Sequence, residues 1–261
     1  MKFHSKVMWR SMYQERVLAF PQSARGASSR ESSLAERMAM LSASALFTGL
    51  SPSDYCEIAS SAEAQHFRNN EHLFMQGQQS LRLIVVQTGS IKLTQLSPYG
   101  LEAVLWIAAP GDSVGLPIDS MACVQTCSAR AMANCTVLVW DFKRLEQLIE
   151  RSPQIRRNIN SVLFDRLTNL EERFREVATQ KVAQRLASTL LRLARQIGSH
   201  AHGGTQVSFS REELAQMTGT TLFTISRLLS KWSETKIVLP RREAVVVLDI
   251  EQLRRLSKQQ S

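Results

Sequence analysis

The chain has 261 residues, 44% of them hydrophobic and 21% charged, and its 32 Lys and Arg outnumber 23 Asp and Glu for a net charge of +9. That balance excludes fibrous, collagen-like and wholly disordered chains, and the length favours two modest domains over one. Four Cys are too few for a disulfide scaffold, which points to a reducing, cytoplasmic setting, and no run approaches the ~20 apolar residues of a membrane span. The charge is uneven. Residues 1–40 hold 7 basic and 3 acidic residues (+4), 41–150 hold 6 and 10 (−4), 151–179 hold 6 and 4 (+2), and 180–261 hold 13 and 6 (+7). A slightly acidic block followed by a strongly basic one predicts a sensing domain joined to a nucleic-acid-binding domain.

Residues 1–40 form a poorly specified leader. Trp9, Met12, Tyr13, Arg16, Val17 and Phe20 fall at helical spacing, as in an amphipathic partner or membrane-surface helix, but the Ser-rich stretch with Pro21 and Gly26 equally fits a loose tail. Residues 41–150 are expected to form a β-rich effector domain. Short apolar runs at His72–Met75, Leu83–Val86, Ile91–Leu96, Ala103–Ile107 and Val137–Trp140 are separated by turn residues such as Asn69-Asn70, Gly77, Gly89 and Pro110-Gly111-Asp112. After Pro153 the period changes. Leu163, Leu167, Leu170, Phe174 and Val177 recur at spacings of 4 and 3, the seam of a two-stranded coiled coil, so 151–179 is read as a dimerisation helix. Ile155 and Ile159 extend its apolar side, and Asp165, Arg166, Glu171, Glu172, Arg173 and Arg175 supply its solvated faces.

The most specific signal lies in 180–261, the DNA-binding segment. Ser210 and Glu213 have the spacing of a capping box, Leu214 and Ala215 face inward from a first helix, Gly219 supplies a turn of positive φ, and Ile225 and Leu228 face inward from a second helix running from about Thr221 to Trp232. This is a helix-turn-helix register. It turns Thr221, Leu222, Phe223, Ser226 and Arg227 towards the major groove. Arg227 can donate two hydrogen bonds to guanine O6 and N7, and Ser226 can reach a base edge or a phosphate. Leu222 and Phe223 have no polar group, so they press on thymine methyls or pack. Arg211, Thr220 and Lys231 are candidates for phosphate contact. Ile237–Leu239 and Val245–Leu248, flanking Pro240-Arg241-Arg242-Glu243, read as a hairpin wing.

The Gly89-Ser-Ile-Lys-Leu93 run, Pro110-Gly111-Asp112 with Gly115, the long helix and Gly219-Thr-Thr-Leu-Phe-Thr-Ile-Ser-Arg227 together resemble the cyclic-AMP receptor protein/FNR (Crp/Fnr) family of bacterial transcription regulators over about residues 44–257. The resemblance implies an α+β chain: an N-terminal double-stranded β-roll like a cyclic-nucleotide-binding domain, a long dimerisation helix and a C-terminal winged helix-turn-helix. It implies a homodimer on a palindromic DNA site that activates or represses transcription, often by touching RNA polymerase. Thr224-Ile-Ser-Arg227 is similar to the recognition helix of the FNR branch, which usually places a Glu where Phe223 stands.

The effector pocket of that family would fall at Gly115, Leu116, Cys127, Ser128 and Ala129. The cyclic-nucleotide branch has a Gly-Glu pair for the ribose and an Arg-Ser/Thr-Ala run for the phosphate. Here Leu116 and Cys127 replace the carboxylate and the guanidinium, so an anionic cyclic phosphate loses its charge-assisted partners. Strand alternation turns the nearby Arg130 to the other face. The effector is left open as an unidentified small molecule, or none, and no cofactor is assigned. The alternatives are a metal or redox site built from Cys123, Cys127 and Cys135, haem held through His66 or His72, and a ligand-binding scaffold that reads no DNA sequence. No metal site is assigned, because the thiols lack CxxC spacing and structural thiols are the commoner outcome. An enzyme is not expected: the chain has no Gly-rich phosphate loop, nucleophile elbow or HExxH.

Overall fold

The computed structural model describes residues 33–79, 82–115 and 124–258. The expectations for the 1–32 part of the leader, for Leu116 and for Cys123 therefore lie outside the described residues. The described chain falls into two compact units. One holds the residues up to Gln95 together with Pro110–Asn158, and the other holds Leu96–Ala109 together with Ile159 onward.

The first unit opens with two helices, α1 (Leu34–Ala43) and α2 (Pro52–Ser61). Both start at capping boxes, Ser33 with Glu36 and Ser51 with Asp54, and α2 also has Pro52 in its first turn, where a missing N–H costs nothing. Strands β1 (Glu63–Phe67), β2 (His72–Phe74), β3 (Arg82–Thr88) and β4 (Ile91–Leu96) follow, then β5 (Glu102–Ala108) in the second unit, and β6 (Ser113–Val114), β7 (Ser128–Ala131) and β8 (Cys135–Asp141) back in the first. One antiparallel sheet has the order β1-β8-β3-β6, with Val85 opposite Leu138 in register. In the other, β7 lies between β2 and β4, with Ala129 opposite both Phe74 and Leu93. The expected strand runs are all present: Ile91–Leu96 has the expected bounds, the strand expected over His72–Met75 ends at Phe74, and the other three are longer. The sequence reading missed β1 and β7, because Glu63–Phe67 lacks apolar alternation and Ser128–Ala131 is built of small residues.

The core of this unit lies between the sheets and the two helices. Trp140 is fully buried against Phe47, with ring centroids 5.7 Å apart, and its Nε1 donates to the Ile58 carbonyl at 2.9 Å, tying β8 to the end of α2. Helices α3 (Phe142–Arg151) and α4 (Pro153–Thr179) follow β8. Asn158 on α4 donates to the Leu46 and Thr48 carbonyls at 3.0 and 2.8 Å, which fixes the start of the long helix against the N-terminal residues.

The β3–β4 hairpin turns at Gly89, whose φ is +79°. A Cβ there would lie 2.7 Å from the Cys135 Cβ and 2.9 Å from the Asn134 carbonyl oxygen. Gly100 has a similar φ of +81° but open space around it. Gly100→Ala should therefore cost only the ~1–2 kcal/mol of a left-handed backbone, and Gly89→Ala about 1–3 kcal/mol more from overpacking. Equal losses in thermal melts of the two variants would contradict the close packing of β8 under this turn.

The second unit is built on α5 (Val182–Ile197), with β9 (Ser199–Ala201), β10 (Gly204–Val207), α6 (Arg211–Thr218), α7 (Leu222–Glu234), β11 (Val238–Pro240), β12 (Val245–Val247) and α8 (Ile250–Lys258). Its sheet has the order β11-β12-β10-β9. Leu186, Leu190, Leu214, Ile225, Leu229, Trp232, Val246 and Leu253 are buried together as the core of a winged helix.

Candidate DNA-reading helix and effector pocket

The helix-turn-helix is fixed by its caps. Ser210 Oγ accepts from the Glu213 N–H at 3.2 Å while Glu213 Oε2 accepts from the Ser210 N–H at 2.9 Å, which starts α6. Gly219 ends it in the left-handed region, with φ 61° and ψ 47°. Thr221 then caps α7, its Oγ1 accepting from the Thr224 N–H at 3.3 Å. Two inward assignments differ from the sequence reading. Leu228 is only half-buried, and Leu229 and Trp232 fill the core beside Ile225. The helix also runs on to Glu234, two residues further than expected.

The opposite side of α7 faces solvent. Thr221, Leu222, Phe223, Arg227 and Lys231 are exposed, as is Arg211 on α6, while Thr220 and Ser226 are half-buried. Among the described residues, no side chain or backbone group hydrogen-bonds or ion-pairs with the Arg227 guanidinium. The turn between β11 and β12 is closed by the Arg241 N–H donating to the Ala244 carbonyl at 2.8 Å, and it exposes Arg241 and Arg242. Arg185 is a residue the sequence reading missed. From α5 its Nε donates to the Thr218 carbonyl at 2.9 Å and its Nη1 to the Gln180 carbonyl at 2.6 Å, so it holds the end of α6 in place. A charged residue within an apolar-faced helix was its only signal.

Helix α4 has an unusual division of faces. Leu167, Leu170, Phe174 and Val177 of the expected seam are exposed and Leu163 is half-buried, and Phe164 adds to the exposed side. The inward side is charged. Arg166 lies over the Trp106 ring, 4.6 Å from its centroid. Arg173 donates to the Leu105 carbonyl, and the buried Glu176 pairs with Arg192 of α5 at 3.5 Å. Arg166 and Arg173 therefore do not form a solvated face, contrary to the sequence expectation; they pack on β5. Burial, and then the neighbouring Arg192 charge, push the Arg173 pKa down to about 10, with Glu176 opposing. Asp165, Glu171, Glu172 and Arg175 are exposed as expected, and Ile155 is buried in the first unit.

In the first unit, Gly115 has φ +69° and packs near the Arg82 carbonyl and the Phe74 ring. Ala129 is fully buried beside Phe74 and Leu93. Cys127 and Ser128 are half-buried, and Ser128 Oγ accepts from the Gln76 N–H at 2.9 Å. Arg130 lies in register with Lys92 and His72, on the sheet face away from Ala129. Cys135 is buried, and burial followed by the Glu71 charge pushes its thiol pKa up to about 11, which disfavours the reactive thiolate. His66 is exposed on β1, with Nδ1 3.0 Å from Thr136 Oγ1. Among the described residues, no three His, Cys, Asp or Glu side chains gather closely enough to hold a metal ion, and no helix is long and apolar enough to cross a membrane.

Comparison with known proteins places this arrangement. Residues 184–256 match the Crp-like helix-turn-helix domain and residues 64–152 the cyclic nucleotide-binding domain. The chain belongs to the Crp/Fnr family. It is 24% identical over 221 residues to the CRP-like cAMP-activated global transcriptional regulator of Mycobacterium tuberculosis, covering 84% of this chain and 99% of that protein. It is 28% identical over 177 residues to the cAMP-activated global transcriptional regulator CRP of Salmonella typhimurium, covering 67% of this chain and 84% of that protein. The fold is similar to that of FixK2 from Bradyrhizobium japonicum, with a TM-score of 0.66 and 21% identity over 77% of this chain and 99% of that one. This Crp/Fnr protein is thus a DNA-binding transcription regulator with an α+β fold, not an enzyme.

Proposed function

We propose that two copies of this regulator, joined along α4, read a palindromic operator with α7 of each copy and touch RNA polymerase from that position. The observation that carries this reading is the outward face of α7, where Arg227 stands exposed, unpaired among the described residues, in the most basic part of the chain. Arg227 reads a guanine, Ser226 supplements it, and Arg211, Thr220 and Lys231 hold phosphates. Thr221 and Arg185 set the helix in place. The proposed effector is a small molecule other than a cyclic nucleotide, held near Gly115, Leu116, Cys127, Ser128 and Ala129. Its state shifts the packing of α4 and so the spacing of the two reading helices, which must match half-sites ~34 Å apart. The relatives named above are cAMP-activated, but here the run that would hold the phosphate begins with Cys127, and the nearest guanidinium, Arg130, faces away from Ala129.

Selection of binding sites from random duplexes, followed by mobility-shift titration, tests the DNA reading. Arg227→Ala should lose about 10–100-fold in affinity for the selected site and keep its non-specific, salt-dependent binding. Specific binding left intact in this variant would remove α7 from the role.

A further inference from the structure

The reading helix begins with two apolar side chains that the core does not use. Leu222 is 51% exposed and Phe223 74%, while Ile225, Leu229 and Trp232 on the other side of the same helix are buried. A phenyl ring left in water forgoes roughly 25 cal/mol for every Å² that burial would remove from solvent. At that exposure Phe223 adds little to the stability of the unit that presents it. Its position is specific: it lies four residues before Arg227, so the two side chains project one above the other from one helix face.

In the major groove each base pair offers polar groups at fixed places, and the C5 methyl of thymine is the apolar feature among them. A phenyl ring can neither donate nor accept a hydrogen bond. Set beside a guanine-reading arginine, it discriminates by contact with that methyl. We infer that Phe223 is a specificity-determining residue that reads a thymine methyl in each half-site. One helical turn advances ~5.4 Å, and successive base pairs are ~3.4 Å apart. The thymine therefore lies one or two base pairs from the guanine that Arg227 reads. This inference rests on α7 being the reading helix, and it adds the chemistry of a second base to it.

The test uses the full chain and its selected operator. Each thymine of the half-site is replaced in turn by deoxyuridine, which deletes the methyl and keeps the pairing and the polar edges. Wild-type affinity should fall about 3–5-fold per half-site at one thymine, within two base pairs of the guanine whose recognition depends on Arg227. Phe223→Ala should bind the thymine and deoxyuridine operators equally. Phe223→Glu should move the preference at that same position to a base pair offering an amino donor, adenine N6 or cytosine N4. A wild-type protein indifferent to every deoxyuridine, or a Phe223→Ala variant with the same methyl dependence, overturns the inference and leaves α7 as the reading helix. Selection that enriches no sequence, or an Arg227→Ala variant that binds normally, overturns the underlying reading and this one with it.

Discussion

A variant carrying Leu167→Asp and Leu170→Asp is expected to sediment as a 29.4 kDa monomer with unchanged helix content. The reason lies in how α4 divides its residues. A helix that only packs on its own chain buries its apolar stripe and exposes its charges. Here Arg166, Arg173 and Glu176 turn inward, and Phe164, Leu167, Leu170, Phe174 and Val177 turn outward. Leu167 and Leu170 are 53% and 57% exposed, so aspartate at either position stays solvated in a single chain and the fold survives. A second helix pairing with this stripe would bury several such side chains from each copy, each worth up to about 1.5–3 kcal/mol when fully covered. Four aspartates in that seam would be desolvated and mutually repelled. Operator binding should fall with the dimer, by about 10²–10⁴-fold, because the second half-site is then no longer held near the first. A variant that still sediments as a dimer, or a wild-type chain that sediments as a monomer, would sink the assignment of this face.

How far the sequence could be read differs between the parts, for physical reasons. The helix-turn-helix was legible residue by residue because its constraints are local: a capping box at Ser210, a left-handed position at Gly219 and an apolar register at Ile225. The slips, Leu228 for Leu229 and the unassigned Trp232, come from a helix whose buried stripe drifts as it lengthens. The strands with apolar alternation were legible too, but β7 was not, since its pairing depends on neighbours distant in sequence. The inward face of α4 was the least legible. Arg166 and Arg173 have the spacing of solvated residues, and only the three-dimensional placement of β5 gives them an aromatic ring and a carbonyl to pack against. The proposed effector site was legible only through the groups it lacks: Leu116 and Cys127 stand where the cyclic-nucleotide branch has a carboxylate and a guanidinium, and small residues such as Ser128 and Ala129 carry little information about a ligand.

Replacing Glu176 by alanine should destabilise the second unit by about 3–5 kcal/mol, the cost of leaving buried charge without its partner. Glu176 is the carboxylate placed between two guanidinium groups. It pairs with Arg192 at 3.5 Å, and it opposes the burial and the Arg192 charge that together lower the Arg173 pKa to about 10. Even so lowered, Arg173 stays protonated at neutral pH, so the variant must hold two like charges together with no counter-charge. Thermal melts at low and high salt measure the effect, and a loss below ~1 kcal/mol would mean that water already reaches the cluster. Replacing both Glu176 and Arg192 by leucine should recover much of the loss, because an apolar pair removes the desolvation cost along with the attraction. The contacts made by the same residues give the variant a functional reading as well. Arg192 and Gln196 lie on α5, where Gln196 donates to the Ile107 carbonyl of β5 at 2.6 Å, and Arg185 of that helix holds the end of α6. The cluster thus joins α4, which presents the exposed apolar stripe, to the helix that positions the DNA-reading motif. A Glu176→Ala chain that remains folded at low temperature should bind its operator more weakly than its melting curve alone accounts for, since α4 no longer fixes where α5 sits.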